Sequence, residues 1–152
     1  MHALLFVLHL VGAILWVGGM AFAILVLRPS LAVLEPPQRL AVNREVFRRF
    51  FLIVWHAMPI TLVSGWAMLF VFHGGFAGAH WTVHLMNLTG LVMGAVFVVL
   101  WSGPYQAFRA ALANARGADA AAALVRIRLL ITLNLGLGLF TSAIAGLGRF
   151  AL

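Results

Sequence analysis

The chain has no cysteine and no lysine, and only three of its 152 residues are acidic. Without cysteine, disulfides, thiolate metal sites and thiol redox chemistry are excluded. The acids Glu35, Glu45 and Asp119 all lie outside the long apolar runs, so no carboxylate is available within those runs for acid–base work. No Ser-His-Asp set can form there, and a proton relay would lack the acids it usually recruits. Any redox chemistry therefore needs a bound cofactor. Charged residues make up 9% of the chain against 64% apolar, with a mean hydropathy of +1.10. That balance leaves too little polar surface to coat a soluble globule of this size.

What remains reads as an all-α, four-helix transmembrane bundle forming a single domain over residues 1–152. A spanning helix needs about 20 mostly apolar residues, and four such runs are present, at about 2–27, 50–72, 81–103 and 126–149. The opening MHALL has no positive flank and its apolar run is too long for a signal peptide, so the first helix is expected to be retained. Pro29 is expected to end span one, Pro36-Pro37 to break the chain, and Pro59 to kink span two. Residues 38–47 and 105–116 have the pattern of short interfacial helices.

All the positive charge is arginine, and its placement sets the expected orientation. Arg28, Arg39, Arg44, Arg48 and Arg49 fall in the first connection; Arg109, Arg116, Arg126 and Arg128 fall around the second. Only Arg149 lies at the other end. By the positive-inside rule both termini face outward, to the periplasm of a bacterium, and the interfacial helices lie on the cytoplasmic side. This placement argues for a lipid bilayer, specifically the bacterial inner membrane, and against nucleic acid as partner, despite a pI near 12. Small residues at Gly138, Ser142 and Gly146, at Gly90 and Gly94, and at Gly12 and Gly19 mark expected helix–helix contacts, within the bundle or in a homo-oligomer.

His9 to Pro29 (HLVGAILWVGGMAFAILVLRP) recurs without a gap as His84 to Pro104 (HLMNLTGLVMGAVFVVLWSGP), with matches at His-Leu, Val17/Val92, Gly19/Gly94, Phe22/Phe97 and Pro29/Pro104. Two parallel helices, each with a histidine at the same depth, are the expected result. An ionisable side chain inside a span is a functional candidate by default. His9 and His84 are expected to face each other under the outer surface, with His56 nearer the other side as a possible second metal site. His2, His73 and His80 sit at span ends, where water is close.

Four readings are open for the pair. The rings can be ordinary hydrogen-bonded imidazoles. They can be axial ligands of a b-type haem between helices, with Gly12 and Trp16 shaping the slot and Arg149 meeting the propionates. They can bind a copper ion together with thioethers from Met20, Met58, Met68, Met86 or Met93. They can relay protons.

The residues of span one, LHLVGAILWVGGMAFAILVLRPSL, resemble the opening helix of the copper-resistance D (CopD-like) membrane family. The four-span layout, with a span-one histidine and Trp-x-Gly-Gly, is similar to HemJ-type protoporphyrinogen oxidases, and PITLVSGWAMLF is similar to the second helix of both. The first resemblance implies copper uptake. The second implies that His9 ligates haem; a lysine of span three that also matters in that family has no counterpart here, and His84 stands near its place. These lines together give the expectation of a bis-imidazole haem b protein transferring electrons, with a quinone or a periplasmic redox partner. Copper transport and a non-catalytic membrane subunit are the alternatives.

Overall fold

The computed structural model describes residues 2–150, apart from the side chains of His73, Arg149 and Phe150. Among these residues every regular element is helical, and four helices are long and apolar enough to cross a membrane. Helix α1 (His2–Val33) is α-helical to Ala21, π-helical over Phe22–Leu27, and closes with a 3-10 turn at Leu31–Val33. Helix α2 is Pro36–His73. Helix α3 (Trp81–Ala113) carries a second π segment at Trp101–Tyr105. Helix α4 is Gly117–Phe150.

The stretches expected as separate interfacial helices are continuous with the spans. Pro36 and Pro37 start α2 because the first helical positions need no intrahelical N–H partner. Glu35 and Gln38 satisfy each other's backbone N–H groups there, in a reciprocal capping box. Nothing between Phe47 and Phe50 breaks the helix, and it continues through Pro59 until Gly74, whose φ of 65° ends it in the left-handed region. At 38 residues α2 is about 57 Å long, so its arginine-rich first turns extend past an apolar core about 30 Å thick.

The helices form a ring in which α1 packs on α2, α2 on α3, α3 on α4, and α4 on α1. The parallel helices α1 and α3 are thus diagonal. Lipid offers side chains as apolar a setting as a protein core does, so close packing holds such a bundle together. Gly19 receives the Phe50 ring, Gly138 receives Val17 and Met93, and Gly90 and Gly94 lie against Leu62 and Met58. Gly146 meets nothing within 4 Å, so only part of the expected α4 small-residue stripe is used inside the bundle. At the arginine-rich end an aromatic cluster knits α2 to α3, with Phe51 edge-on to Tyr105 at 4.8 Å and to Phe97 at 5.8 Å.

Burial exposes a repeat of helical hairpins. The buried positions Gly12, Trp16, Met20, Ala23 and Leu31 of α1 correspond to Thr89, Met93, Phe97, Leu100 and Phe108 of α3, always 77 residues later. In the other two helices Phe47, Phe51 and Val54 correspond to Ile127, Ile131 and Asn134, always 80 later. The histidines, by contrast, are 75 residues apart. At 3.6 residues per turn, a two-residue mismatch turns a side chain about 200° around the helix.

Candidate functional site

His84 therefore does not take the place of His9. The packing repeat puts Met86 there, and the His84 ring is exposed, stacked on Phe76 of the α2–α3 connection at 6.1 Å. The expectation that the two imidazoles face each other is corrected accordingly: His9 packs on α2, while His84 looks out of the bundle.

His9 is half-buried, and its Nδ1 lies 2.8 Å from the Thr61 carbonyl. A carbonyl oxygen can only accept, so Nδ1 carries the proton and, in the neutral ring, Nε2 keeps its lone pair. Ser64 Oγ is a weaker second neighbour of Nδ1 at 3.5 Å. The ring rests on Gly65, where an added Cβ would come within 3.0 Å of Cε1. About one turn of α2 thus defines the pocket: Thr61 and Ser64 supply polar atoms, and Gly65 supplies room. The Thr61 hydroxyl donates to Ala57 O at 2.8 Å, and the Thr61 carbonyl that meets His9 also accepts from Ser64 Oγ at 3.2 Å.

Gly12 does not open a slot for a macrocycle. A methyl group there would overlap the Thr61 hydroxyl, so the space beside Gly12 is already filled by α2. Trp16 is 3% exposed and belongs to the core with Met20, Phe47 and Phe51. Met20 and Met93 are likewise buried in packing. The Arg149 side chain lies outside the described residues, as does that of His73.

The rest of the seam between α1 and α2 follows helical register. Thr61, Gly65, Met68 and Phe72 recur at three- and four-residue spacing, which places them on one face of α2. Thr61 meets Gly12, Gly65 meets His9, and Phe72 stacks on His2 at 4.9 Å. Met68 therefore occupies the same face between the levels of His9 and His2. His2 and His9 are seven residues apart, two turns on one face of α1.

His56 is exposed, with Nδ1 2.8 Å from Leu52 O in its own helix, so its Nε2 also keeps a lone pair. His80 bonds Thr82 Oγ1 at 3.1 Å. Among the described residues no group of three or more His, Asp or Glu side chains converges.

Compared with known protein families, residues 44–147 match the model described as copper resistance protein D. The chain belongs to this family. No curated protein and no solved structure matches it. The chain is a multi-pass membrane protein of the copper resistance protein D family, and the match covers α2 from Arg44 onward, α3 and most of α4. It begins after α1, which contributes His9.

Sequence reasoning singled out His9 but missed Thr61 and Ser64 as its partners. Their signal was a hydroxyl pair three residues apart beside a glycine, on the helix that runs antiparallel to α1. Which face of α2 met α1 was the missing information.

Proposed function

We propose that the protein handles copper ions in the bacterial inner membrane, with copper as cargo passing along the α1–α2 seam. Family membership is the observation that carries this reading. It is supported by His9, whose Nδ1–H is held by the Thr61 carbonyl while Nε2 stays available. A metal-ligating histidine is usually fixed through its second nitrogen in this way. Met68 on the same face adds a thioether, the donor that favours Cu(I) over harder ions. His2 at the end of α1 stands where an ion would enter or leave.

Few ligands per level suit a cargo. A closed set of three or four donors would retain the ion, whereas conduction requires sites weak enough to release it. In this reading Nε2 of His9 donates to the ion and the Thr61 carbonyl orients the ring. Below His9 the seam continues into the buried apolar cluster of Trp16 and Met20. Both termini and the His73–His80 connection face outward, and the nine arginines of the other end face the cytoplasm.

A bis-imidazole haem with an electron-transfer role draws no comparable support. His84 is turned away from the seam, and the place beside Gly12 is occupied.

The test is genetic and spectroscopic. Deleting the gene is expected to change the copper tolerance of the cells, with restoration by the wild-type chain and not by His9→Ala. The purified protein is expected to bind copper without porphyrin absorption. A Soret band abolished by both His9→Ala and His84→Ala would return the reading to haem.

A further inference from the structure

At the arginine-rich end, α2 and α3 diverge around a cavity of about 470 Å³ lined by Arg44, Gln106, Arg109, Ala110 and Ala113. A smaller one of about 240 Å³ adjoins it, sharing Arg44 and reaching Arg116. We propose that this cleft is a binding site for the phosphate of an anionic lipid headgroup, a site independent of the copper reading.

Charge accounting supports it first. All three acids of the chain are engaged elsewhere: Glu35 caps the start of α2, Glu45 pairs with Arg48 at 3.1 Å, and Asp119 pairs with Arg116 at 3.3 Å. Among the described residues, Arg44 and Arg109 have no acidic partner across the cleft. Arg109 is held in place all the same, donating to Gln106 Oε1 at 3.2 Å with its guanidinium 5.8 Å from the Tyr105 ring centre. Two guanidinium groups lining one cleft, one of them pre-positioned, supply the charge-assisted donors that a phosphate ester takes.

The walls favour a lipid over a free anion. Ala110 and Ala113 give the cleft apolar shoulders, and Leu40 and Leu112 continue them into the smaller cavity. Arg44 lies six residues before the apolar run that begins at about residue 50, and Arg109 six residues after the run that ends at about 103, a register that suits headgroup level. Basic pockets between helices at this level suit lipid phosphates. The hairpin repeat does not duplicate the cleft: the positions equivalent to Arg44 and Arg109 are Leu124 and Ala32. One site per chain follows.

Native mass spectrometry of the full chain in detergent tests this, with phosphatidylglycerol, phosphatidylcholine of the same acyl chains, and inorganic phosphate as separate probes. The wild type is expected to retain one phosphatidylglycerol in preference to phosphatidylcholine, and Arg44→Gln and Arg109→Gln each to weaken it about fivefold. Arg126→Gln, which removes the same charge from the same end outside the cleft, is expected to leave retention unchanged. Ala113→Leu, which fills the cleft and leaves its charge intact, is expected to weaken retention and covers the case in which an arginine variant fails to fold. Equal loss in Arg126→Gln would overturn the site in favour of diffuse attraction. Equal retention of phosphatidylcholine, no loss in Ala113→Leu, or inorganic phosphate displacing the lipid at equal concentration would also overturn it.

Discussion

His9 Nδ1 lies 2.8 Å from the carbonyl oxygen of Thr61, across the seam between the first two membrane helices. That bond fixes which ring nitrogen is free. It also explains why Gly65 is glycine: a side chain there would press on the imidazole from beneath. The family match covers the α2 side of this seam, and His9 comes from outside the matched residues.

Gly65→Ala is expected to displace the His9 ring by a few tenths of an ångström, because the added methyl would lie 3.0 Å from Cε1. Fold and thermal stability in detergent should change little, since an imidazole at the end of a side chain can move. Copper retention should fall. A variant that keeps full copper binding would show that the position of the ring is not critical.

Gly12→Ala should behave in the opposite way, losing stability first. The methyl would overlap the Thr61 hydroxyl and approach the Ala57 carbonyl at 3.1 Å, so backbone has to shift. Overpacking of this kind costs about 1–3 kcal/mol. Thermal unfolding of the purified variant in detergent measures it, and an unchanged midpoint would mean that α1 and α2 are not so closely apposed.

Asn134 is 3% exposed and donates to Met93 O at 3.1 Å, while its own Oδ1 has no partner among the described residues. Its equivalent in the first hairpin is Val54. Interhelical hydrogen bonds in membranes average about 0.6 kcal/mol, and an unsatisfied buried oxygen offsets that gain. Asn134→Val is therefore expected to change stability by less than about 1 kcal/mol in either direction. Unfolding measurements that give a loss of several kcal/mol would assign Asn134 a structural bond that this geometry does not contain.

The composition revealed the four apolar helices and Gly74 marked the end of α2, but Pro29, expected to end span one, lies inside α1, which runs on to Val33. The long extension of α2 was not legible, because Pro36-Pro37 reads equally as a break or as a helix start; the capping by Glu35 and Gln38 decides between them. The repeat was visible in the letters but its register was not. Aligning His9 with His84 maximised identities, whereas packing aligns His9 with Met86, two positions on. Side-chain identity says little about which way a membrane helix is rotated when apolar residues surround it. His9 could be picked out as a rare polar group in a span, but its partners depended on how the helices face each other.

Orientation is testable directly. A reporter inserted after Gly75 is expected to be active outside the cytoplasm, and one after Arg116 inside it, following the nine-to-one division of arginines. The reverse pattern would invert the proposed path and place His2 on the cytoplasmic side.

The most direct measurement is equilibrium Cu(I) binding by the purified full chain, read by competition with a chelator and compared among wild type, His9→Ala and His84→Ala. The seam account predicts that wild type and His84→Ala bind copper alike while His9→Ala binds it more weakly. Wild-type affinity in His9→Ala, or a loss in His84→Ala equal to that in His9→Ala, would contradict it.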